Sequence, residues 1–206
     1  KQALGQVNLE NDRDNGEIDW DVVKAEGVDY AIIRCGYRGS SSGWLIEDPY
    51  FWQNLQNAKK AGVKVGIYFF TQATTMVEAV EEASMVVTLL GGETLDYPVF
   101  IDTEGAGGNG RADGLDADTR TMVCESFCRT IENAGYQAGV YASCNWYRNN
   151  LHVEDLDAYK IWLAEYRQTP QYEGRYDMWQ YTSSGSVAGI EGRVDLNVSY
   201  IQSYAN

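Results

Sequence analysis

The sequence is short of the residues that several classes of protein need. Its 206 residues include 16 Lys or Arg against 30 Asp or Glu, and one His, which gives a formal net charge of -14. Nucleic acid is therefore not an expected partner, because binding to phosphate chains depends on Lys and Arg. Apolar runs such as MVVTLL fall far short of the roughly 20 residues that a membrane-spanning helix needs, so no membrane span is expected.

Cysteine and histidine are also too sparse to form a recognisable metal motif. The cysteines Cys35, Cys124, Cys128 and Cys144 have no zinc-ligand spacing, and the lone His152 cannot complete a Cys/His site. We expect most of these cysteines to be buried thiols, with a disulfide of unassigned pairing as the alternative. Neither a GxGxxG after the first strand nor a P-loop is present, so no cofactor is expected.

The composition is that of one folded domain. Hydrophobic residues make up 44% of the chain and charged residues 22%, and the length suffices to bury a full core. No linker or shift of composition divides it, so we expect a single domain over residues 1–206. The chain begins with Lys1 and carries no signal-like segment. We therefore expect a monomer that is a mature product or one module of a larger protein.

Strand-like apolar runs alternate with helix-like segments along the first two thirds of the chain. The five runs are VNLE, DYAIIRCGY, VKVGIYFF, YPVFIDTE and QAGVYA, and three helix-poor strands follow near KIWLAEY, YDMWQYTSSG and GRVDLNVSY. This alternation predicts an α/β fold with a parallel sheet covered on both faces. Such a sheet could close into a barrel or stay open and doubly wound.

Two of the helix-like segments allow more detailed predictions. In DPYFWQNLQNAKKAG, Asp48 is expected to cap the helix and Pro49 to occupy its first position. In the segment DADTRTMVCESFCRTIENAG, the apolar stripe is expected to run through Met122, Phe127 and Ile131, with Cys124 and Cys128 beside it.

Two acids end one of the apolar runs, in the stretch YPVFIDTEGAGG from Tyr97 to Gly108. Asp102 and Glu104 are two residues apart, so on a strand they face the same side, about 6 to 7 Å apart. Two carboxylates in a partly desolvated cleft cannot both ionise easily, which favours one protonated and one charged group. Glycoside hydrolysis uses such a pair. The alternatives are a solvated strand end, a helix cap, or a Ca²⁺ site shared with Asp195.

Polar and aromatic residues recur at the ends of the other strands. The polar residues are Asn8, Arg34, Asp195 and Asn197. The aromatic residues are Tyr37, Tyr68, Tyr141, Trp146, Tyr166, Trp179 and Tyr181. Sugar rings stack on aromatic planes while their hydroxyls take hydrogen bonds, so this combination is typical of a glycan groove. The alternative for the aromatics is ordinary core packing.

The order of these motifs resembles a known family. The segments EIDWDVVKAEGVDYAIIRCGYRG, AKKAGVKVGIYFF, YPVFIDTE, GVYASCNWY, IWLAEY and MWQYTSSGSVAGIEGRVDLN are together similar to the glycoside hydrolase family 25 lysozymes, the Chalaropsis-type muramidases. The resemblance implies a flattened, irregular TIM-like barrel with eight strands and about five helices. It also implies cleavage of the β-1,4 bond between N-acetylmuramic acid and N-acetylglucosamine in bacterial peptidoglycan, at an extracellular or cell-wall location.

The resemblance also assigns roles to individual residues. It implies that Glu104 is the proton donor, assisted by Asp102 and by Asp195 of the late V-D-x-N segment. The remaining residues that we expect to bind substrate are Asn8, Arg34, Tyr37, Tyr68, Tyr141, Tyr166, Trp179, Gln180 and Asn197. The D-x-E pair is also similar to that of the family 18 chitinases, in which the acetamide of the substrate attacks, but Phe100 stands where those enzymes have a further acid.

The first strand departs from the family pattern, which usually reads G-I-D-V-S. Strand alternation puts Asn8 at the place of that Asp, whereas counting back from IDW without a gap selects Glu10. One acid fewer near Glu104 weakens the repulsion that would raise its pKa, so we expect activity that is reduced or shifted to lower pH. A glycan-binding barrel without catalysis is the alternative.

Overall fold

The structure is a computed structural model. It describes the backbone of residues 7–9, and both backbone and side chains of residue 15 and residues 17–201. Its strands are β1 (Val7–Leu9), β2 (Tyr30–Arg38), β3 (Leu45–Glu47), β4 (Lys64–Phe70), β5 (Val99–Asp102), β6 (Ala138–Ser143), β7 (Lys160–Ala164), β8 (Met178–Gly185) and β9 (Val194–Ser199). Its helices are α1 (Trp20–Ala25), α2 (Phe51–Lys60), α3 (Met76–Leu90), α4 (Ala117–Asn133) and α5 (Cys144–Asn149), followed by a 3-10 turn, Val153–Leu156.

The sheet closes on itself, which confirms the barrel and rules out the open, doubly wound alternative. The strand order is β1-β9-β8-β7-β6-β5-β4-β2-β3, and β1 also pairs with β2, so a ring of eight strands forms with β3 outside it. The pairings from β1 through β2, β4, β5, β6 and β7 to β8 are parallel.

The last strand corrects the expectation of a parallel sheet. β9 runs antiparallel to both β8 and β1. The chain between β8 and β9 holds only residues 186–193, without a helix. A parallel strand needs a crossover of a dozen or more residues, so this short connection can return the chain only as a hairpin.

The strands separate two hydrophobic cores. On β2, Ala31 and Ile33 pack with helix residues such as Phe51 of α2, whereas Tyr30 and Ile32 belong to a cluster made of strand residues that fills the barrel. Successive strand residues point to opposite faces, so each strand serves both cores. The near-continuous apolar runs of the sequence follow from this double burial.

Two details of the helices differ from the predictions. α2 begins at Phe51, after Pro49, and Asp48 lies before it in an ion pair with Arg34, with 2.6 Å between Arg34 Nη2 and Asp48 Oδ2. Asp48 therefore neutralises a cation through Oδ2, while its Oδ1 accepts from Tyr50 N at 3.0 Å just before the helix begins. On α4, Met122 is 37% exposed, while Cys124 joins the buried stripe beside Phe127 and Ile131.

All four cysteines are free, which agrees with the prediction of buried thiols. Cys35, Cys124 and Cys128 are buried and Cys144 is partly exposed. Burial raises the pKa of Cys124 to about 12, so its thiol stays protonated and unreactive. Over the residues that the structure describes, no helix has both the length and the apolar character needed to cross a membrane.

Candidate active site

The two acids lie at the carboxyl end of the central strand β5. Asp102 is the last residue of the strand and is 1% exposed, whereas Glu104, two residues further on, is partly exposed. The backbone here is fixed from both sides, because Thr71 N donates to Asp102 O at 3.0 Å and Thr103 N donates to Tyr141 O at 3.0 Å. The arrangement offers one sheltered carboxyl group and one that solvent reaches.

The buried side-chain amide of Gln180 connects three other predicted site residues. Gln180 Oε1 accepts hydrogen bonds from Tyr141 Oη at 2.7 Å and from Tyr166 Oη at 2.9 Å, and Gln180 Nε2 donates to Asp195 Oδ2 at 3.3 Å. Gln180 has no exposed surface, whereas Tyr166 is 54% exposed. We refer to Tyr141, Tyr166, Gln180 and Asp195 as the Gln180 network. It couples β6, β8, β9 and the segment after β7 beside the acids of β5.

Trp162 forms the floor beneath these residues, and the sequence analysis did not identify it. Its ring centroid lies 4.6 Å from that of Tyr141 and 5.0 Å from that of Phe100, and its Nε1 donates to Asn197 Oδ1 at 2.8 Å. Tyr68, which meets it edge-on, and Asn197 are both buried. Their burial places them under the open surface, and substrate contact by them stays a prediction. The feature of the sequence that could have identified Trp162 is its position in the middle of the apolar strand KIWLAEY.

Arg34 and Tyr37 lie on the same end of β2. The Arg34 guanidinium binds the buried Asp48 carboxylate, with 2.7 Å from Nε to Oδ2, and its Cζ lies 5.5 Å from the centre of the Tyr37 ring. The register of β2 against β4 shifts between Arg34 and Gly36. Such a bulge re-aims the side chains that follow it. Both side chains are partly exposed and available at the rim.

The remaining predicted residues have different placements. Trp179 neighbours Gln180 on β8 and so points to the opposite face; it packs against the outer core, and its Nε1 donates to Glu165 O at 2.9 Å. Its ring thus lies on the outer side of the sheet, and contact between Trp179 and substrate stays a prediction. The backbone of Asn8 pairs in register with Asp195, but its side chain and all of Glu10 lie outside the described residues.

The loop after Glu104 rests on a buried arginine and a tryptophan. Arg120 is 2% exposed, forms no ion pair among the described residues, and lies with its Cζ 4.0 Å from the centre of the Trp146 ring. Its Nη2 donates to Leu115 O at 3.1 Å. Burial lowers the pKa of Arg120, and the aromatic face partly replaces the lost hydration. A Cβ on Gly105 would lie 3.8 Å from the Trp146 ring, so this ring borders the residue next to Glu104.

Replacing Trp146 by Leu is expected to lower the kcat of a reaction that uses Glu104 about 10-fold with a smaller change in KM, since a loosened Gly105 misplaces Glu104. Steady-state rates on peptidoglycan, the substrate that the sequence resemblance implies, measure both constants. The matched control is Trp52→Leu, because Trp52 on α2 is 38% exposed and packs beside Phe51. An equal loss in both variants would contradict the role given to Trp146.

A second buried network joins the ends of β2 and β4 to α3, at the end of the barrel that carries the two acids, which we call the mouth. Arg38 Nε donates to Glu82 Oε1 at 2.9 Å, and Thr71 Oγ1 donates to Glu82 Oε2 at 2.6 Å. Burial raises the pKa of Glu82 to about 7, although its bonds to Thr71 and Arg38 oppose the rise. Arg38 also donates to Gly43 O and Glu78 O. This network therefore ties α3 to the β2–β3 turn and the segment after β4.

The described part of the chain contains no group of three His, Cys, Asp or Glu side chains arranged to hold a metal ion. The Ca²⁺ alternative for Asp102, Glu104 and Asp195 thus gains no support from the geometry. The site instead combines a sheltered acid, an accessible acid, a third carboxylate held by an amide, and aromatic walls.

Comparisons with known proteins place this arrangement among sugar-cleaving enzymes. The family model described as "Glycosyl hydrolases family 25" matches residues 12–190. The autolytic lysozyme of Clostridium acetobutylicum is 31% identical over 185 residues, which are 88% of this chain and 52% of that protein. The chain spans between about half and two thirds of the length of the curated relatives that it matches.

Solved structures share the fold. The modular autolysin LytC from Streptococcus pneumoniae, in complex with a synthetic peptidoglycan ligand, superposes with a TM-score of 0.82 at 28% identity, over 95% of this chain and 46% of that one. A family 25 glycosyl hydrolase from Bacillus anthracis gives a TM-score of 0.76 at 22% identity, over 100% of this chain and 90% of that one.

Proposed function

The chain belongs to glycosyl hydrolases family 25, and on that premise we propose that it is a muramidase that cleaves the β-1,4 bond between N-acetylmuramic acid and N-acetylglucosamine in peptidoglycan. The observation that carries the proposal is the pair at the end of β5, with Asp102 buried and Glu104 open to solvent. The resemblance seen in the sequence motifs is confirmed at the level of family and fold.

Each acid suits a different task in this reaction. The glycosidic oxygen leaves only when it is protonated, and Glu104 is the acid that a bound sugar can reach. The transition state carries positive charge on the sugar ring, and a nearby buried anion stabilises it strongly because little water screens the interaction. Asp102 takes that second role, and Asp195, which Gln180 holds at the same mouth, supports it.

The acetamide of the substrate offers a route without an enzyme-bound sugar. In this route the acetamide oxygen attacks the anomeric carbon as Glu104 protonates the leaving oxygen, and Asp102 orients the acetamide. Water then opens the cyclic intermediate from the face that the leaving group occupied, which retains the configuration. Proton NMR of the first product formed tests this route: an inverted product would contradict acetamide assistance, whereas a covalent sugar–enzyme intermediate would also give retention.

Analysis of the cut ends tests the reaction itself. Purified peptidoglycan is digested, the new reducing ends are reduced with borohydride, and the fragments are identified by mass spectrometry. We expect muramitol at the ends. Glucosaminitol would instead indicate a chitinase-like glucosaminidase. Binding to walls without new reducing ends would indicate the non-catalytic barrel that the family departure at Asn8 suggests.

Restoring an acid in the first strand tests the effect of Asn8. We expect Asn8→Asp to raise activity on cell walls and to extend it to higher pH, because the sequence resemblance implies a first-strand acid in the groove of Glu104, where a second carboxylate favours the protonated form of Glu104. Rates on walls from pH 4 to pH 9 measure the profile. The matched control is Glu10→Gln, which alters the alternative position. An unchanged profile for Asn8→Asp would contradict the expected role of Asn8.

The setting follows from the substrate. We propose that the protein acts outside the cell or in the cell wall, on peptidoglycan as its partner, as a monomer or as a module of a larger protein. The net charge of -14 repels an anionic wall at low salt, but the screening length falls to about 8 Å at physiological ionic strength.

A further inference from the structure

The turn between β2 and β3 presents an exposed tryptophan. Trp44 is 75% exposed, the largest value among the large hydrophobic side chains described as exposed. A single exposed apolar residue is normal on a protein surface, so exposure alone implies no function. The turn that carries it, residues 39–44, is instead unusual in how firmly it is held.

Hydrogen bonds fix this turn from within. Gly39 N donates to Trp44 O and Gly43 N donates to Gly39 O, both at 2.9 Å. Gly43 has a φ of +71°, a conformation that glycine adopts without strain. Trp44 N donates to Ser42 Oγ at 3.3 Å. The backbone on both sides of the indole is therefore defined.

Two arginines fix the turn to the rest of the barrel. The buried Arg38 donates from Nη1 to Gly43 O at 2.8 Å, and Arg111 N donates to Ser40 O at 2.9 Å. The Arg111 guanidinium lies against Gly43, within 3.2 Å of where a Cβ would stand, and it binds Glu78 at 2.7 Å. Holding the backbone of the turn in this way before any ligand arrives reduces the backbone entropy that binding must overcome.

The turn lies at the same end of the barrel as the two acids. Tyr37 is in register with Phe70, and Phe70 is in register with Asp102, so the turn begins two residues beyond the level of Asp102. Arg111 belongs to the loop that follows Glu104 and contacts the turn directly. Trp44 is thus on the rim of the mouth, continuous with the candidate active site but not in it.

We propose that Trp44 is a sugar-stacking platform that binds a pyranose ring of the glycan strand away from the bond that is cut. The inference rests on the proposed function, because it takes its ligand from the polymer that the active site would cleave. The C–H face of a hexosamine matches an aromatic plane, and the neutral N-acetylglucosamine ring suits a strongly acidic protein better than the anionic N-acetylmuramic acid ring does. Trp44 contacts no reacting atom and determines a preference for long strands.

Substrates of two lengths test this platform. The long substrate is soluble glycan strands freed of their peptides by an amidase, and the short one is the tetrasaccharide of two repeating disaccharides. We expect Trp44→Ala to raise KM for long strands about 10-fold with kcat unchanged, and to leave the tetrasaccharide unaffected. Trp44→Tyr should keep most of the affinity for long strands.

Tyr200 provides the matched control. It is 61% exposed and follows Ser199, which is in register with the first residue of β8, so it lies at the opposite end of the barrel. Tyr200→Ala should change neither substrate. Equal effects of Trp44→Ala on long and short substrates, or no effect on either, would overturn the proposal. So would a change in molar mass by light scattering, which would identify Trp44 as a contact between copies of the chain.

A binding measurement separates failure of this inference from failure of the proposed function. Titration calorimetry compares long glycan strands on Glu104→Gln with the same strands on Glu104→Gln/Trp44→Ala. A loss of affinity of about 10-fold supports the platform even if the protein cuts no wall. Equal affinity contradicts the platform even if the protein cuts walls well.

Discussion

Glu104→Gln is expected to lower kcat for the release of reducing ends from peptidoglycan about 1000-fold, while the affinity for glycan strands stays within a few fold of the original. The amide keeps the size and hydrogen-bonding shape of the carboxyl group but supplies no proton to the leaving oxygen. General acid catalysis contributes roughly 100-fold to 10,000-fold to such rates, so its removal dominates the effect. Reducing-end assays on purified walls and calorimetry on soluble strands give the two quantities.

The control for this variant changes a glutamate remote from the mouth. Glu154 lies in the 3-10 turn after α5 with a side chain that is 77% exposed, so Glu154→Gln should retain full activity. A Glu104→Gln protein that keeps more than about a tenth of the rate would contradict the assignment of Glu104 as proton donor. Asp102 would then be the acid to test next, because it is the other carboxyl group of the pair.

Arg38→Met is expected to lower the free energy of unfolding by about 3 kcal/mol at pH 8. Removal of the guanidinium leaves Glu82, which has no exposed surface, as a buried carboxyl group without its cation. Removing one partner of a buried ion pair typically lowers the free energy of unfolding by about 3–5 kcal/mol. Urea denaturation followed by tryptophan fluorescence measures the change.

The same variant should lose less stability at pH 5. Burial raises the pKa of Glu82 to about 7, so its stabilising contribution is complete below its unfolded value near 4.5 and is lost as the pH rises through 7. At pH 5 Glu82 is protonated with or without Arg38, so the losses are the ion pair of Arg38 with the half-exposed Glu81 and its hydrogen bonds to Gly43 O and Glu78 O. A double variant, Arg38→Met/Glu82→Met, should recover part of the stability at pH 8. Equal losses at both pH values would contradict this account.

The sequence predicted that two acids lie at the end of a buried strand, because that pattern is local. Asp102 and Glu104 are two residues apart at the end of one apolar run, and an acid pair in such a place is costly unless it has a use. Gln180 and Trp179 lie on opposite faces of β8, as expected for successive residues of a strand. The family resemblance had instead suggested that both line the groove, whereas strand alternation alone predicts the opposite faces that the structure has.

Contacts between distant residues could not be predicted from these patterns. Arg38 meets Glu82 only because α3 packs beside the end of β2, and Arg120 stacks on Trp146 only because α4 and α5 both pack against β6. The ion pair of Asp48 with Arg34 has the same origin, since the segment before α2 lies against β2, where Asp48 N donates to Cys35 O at 3.0 Å. In each case, tertiary packing overrides the local preference of the residue.

The closure of the ring sets the order in which this protein can fold. β1 pairs with β2 beside it in sequence, but also with β9, so that Asn8 meets Asp195 across nearly the whole length of the chain. Contacts this distant in sequence form slowly, because the entropy of closing so large a loop opposes them. On a ribosome, which releases the chain from its amino end, the strands from β1 to β8 must therefore wait as an unclosed sheet, and the Gln180 network assembles only after β9 has emerged. The candidate active site is consequently one of the last parts of the nascent chain to form.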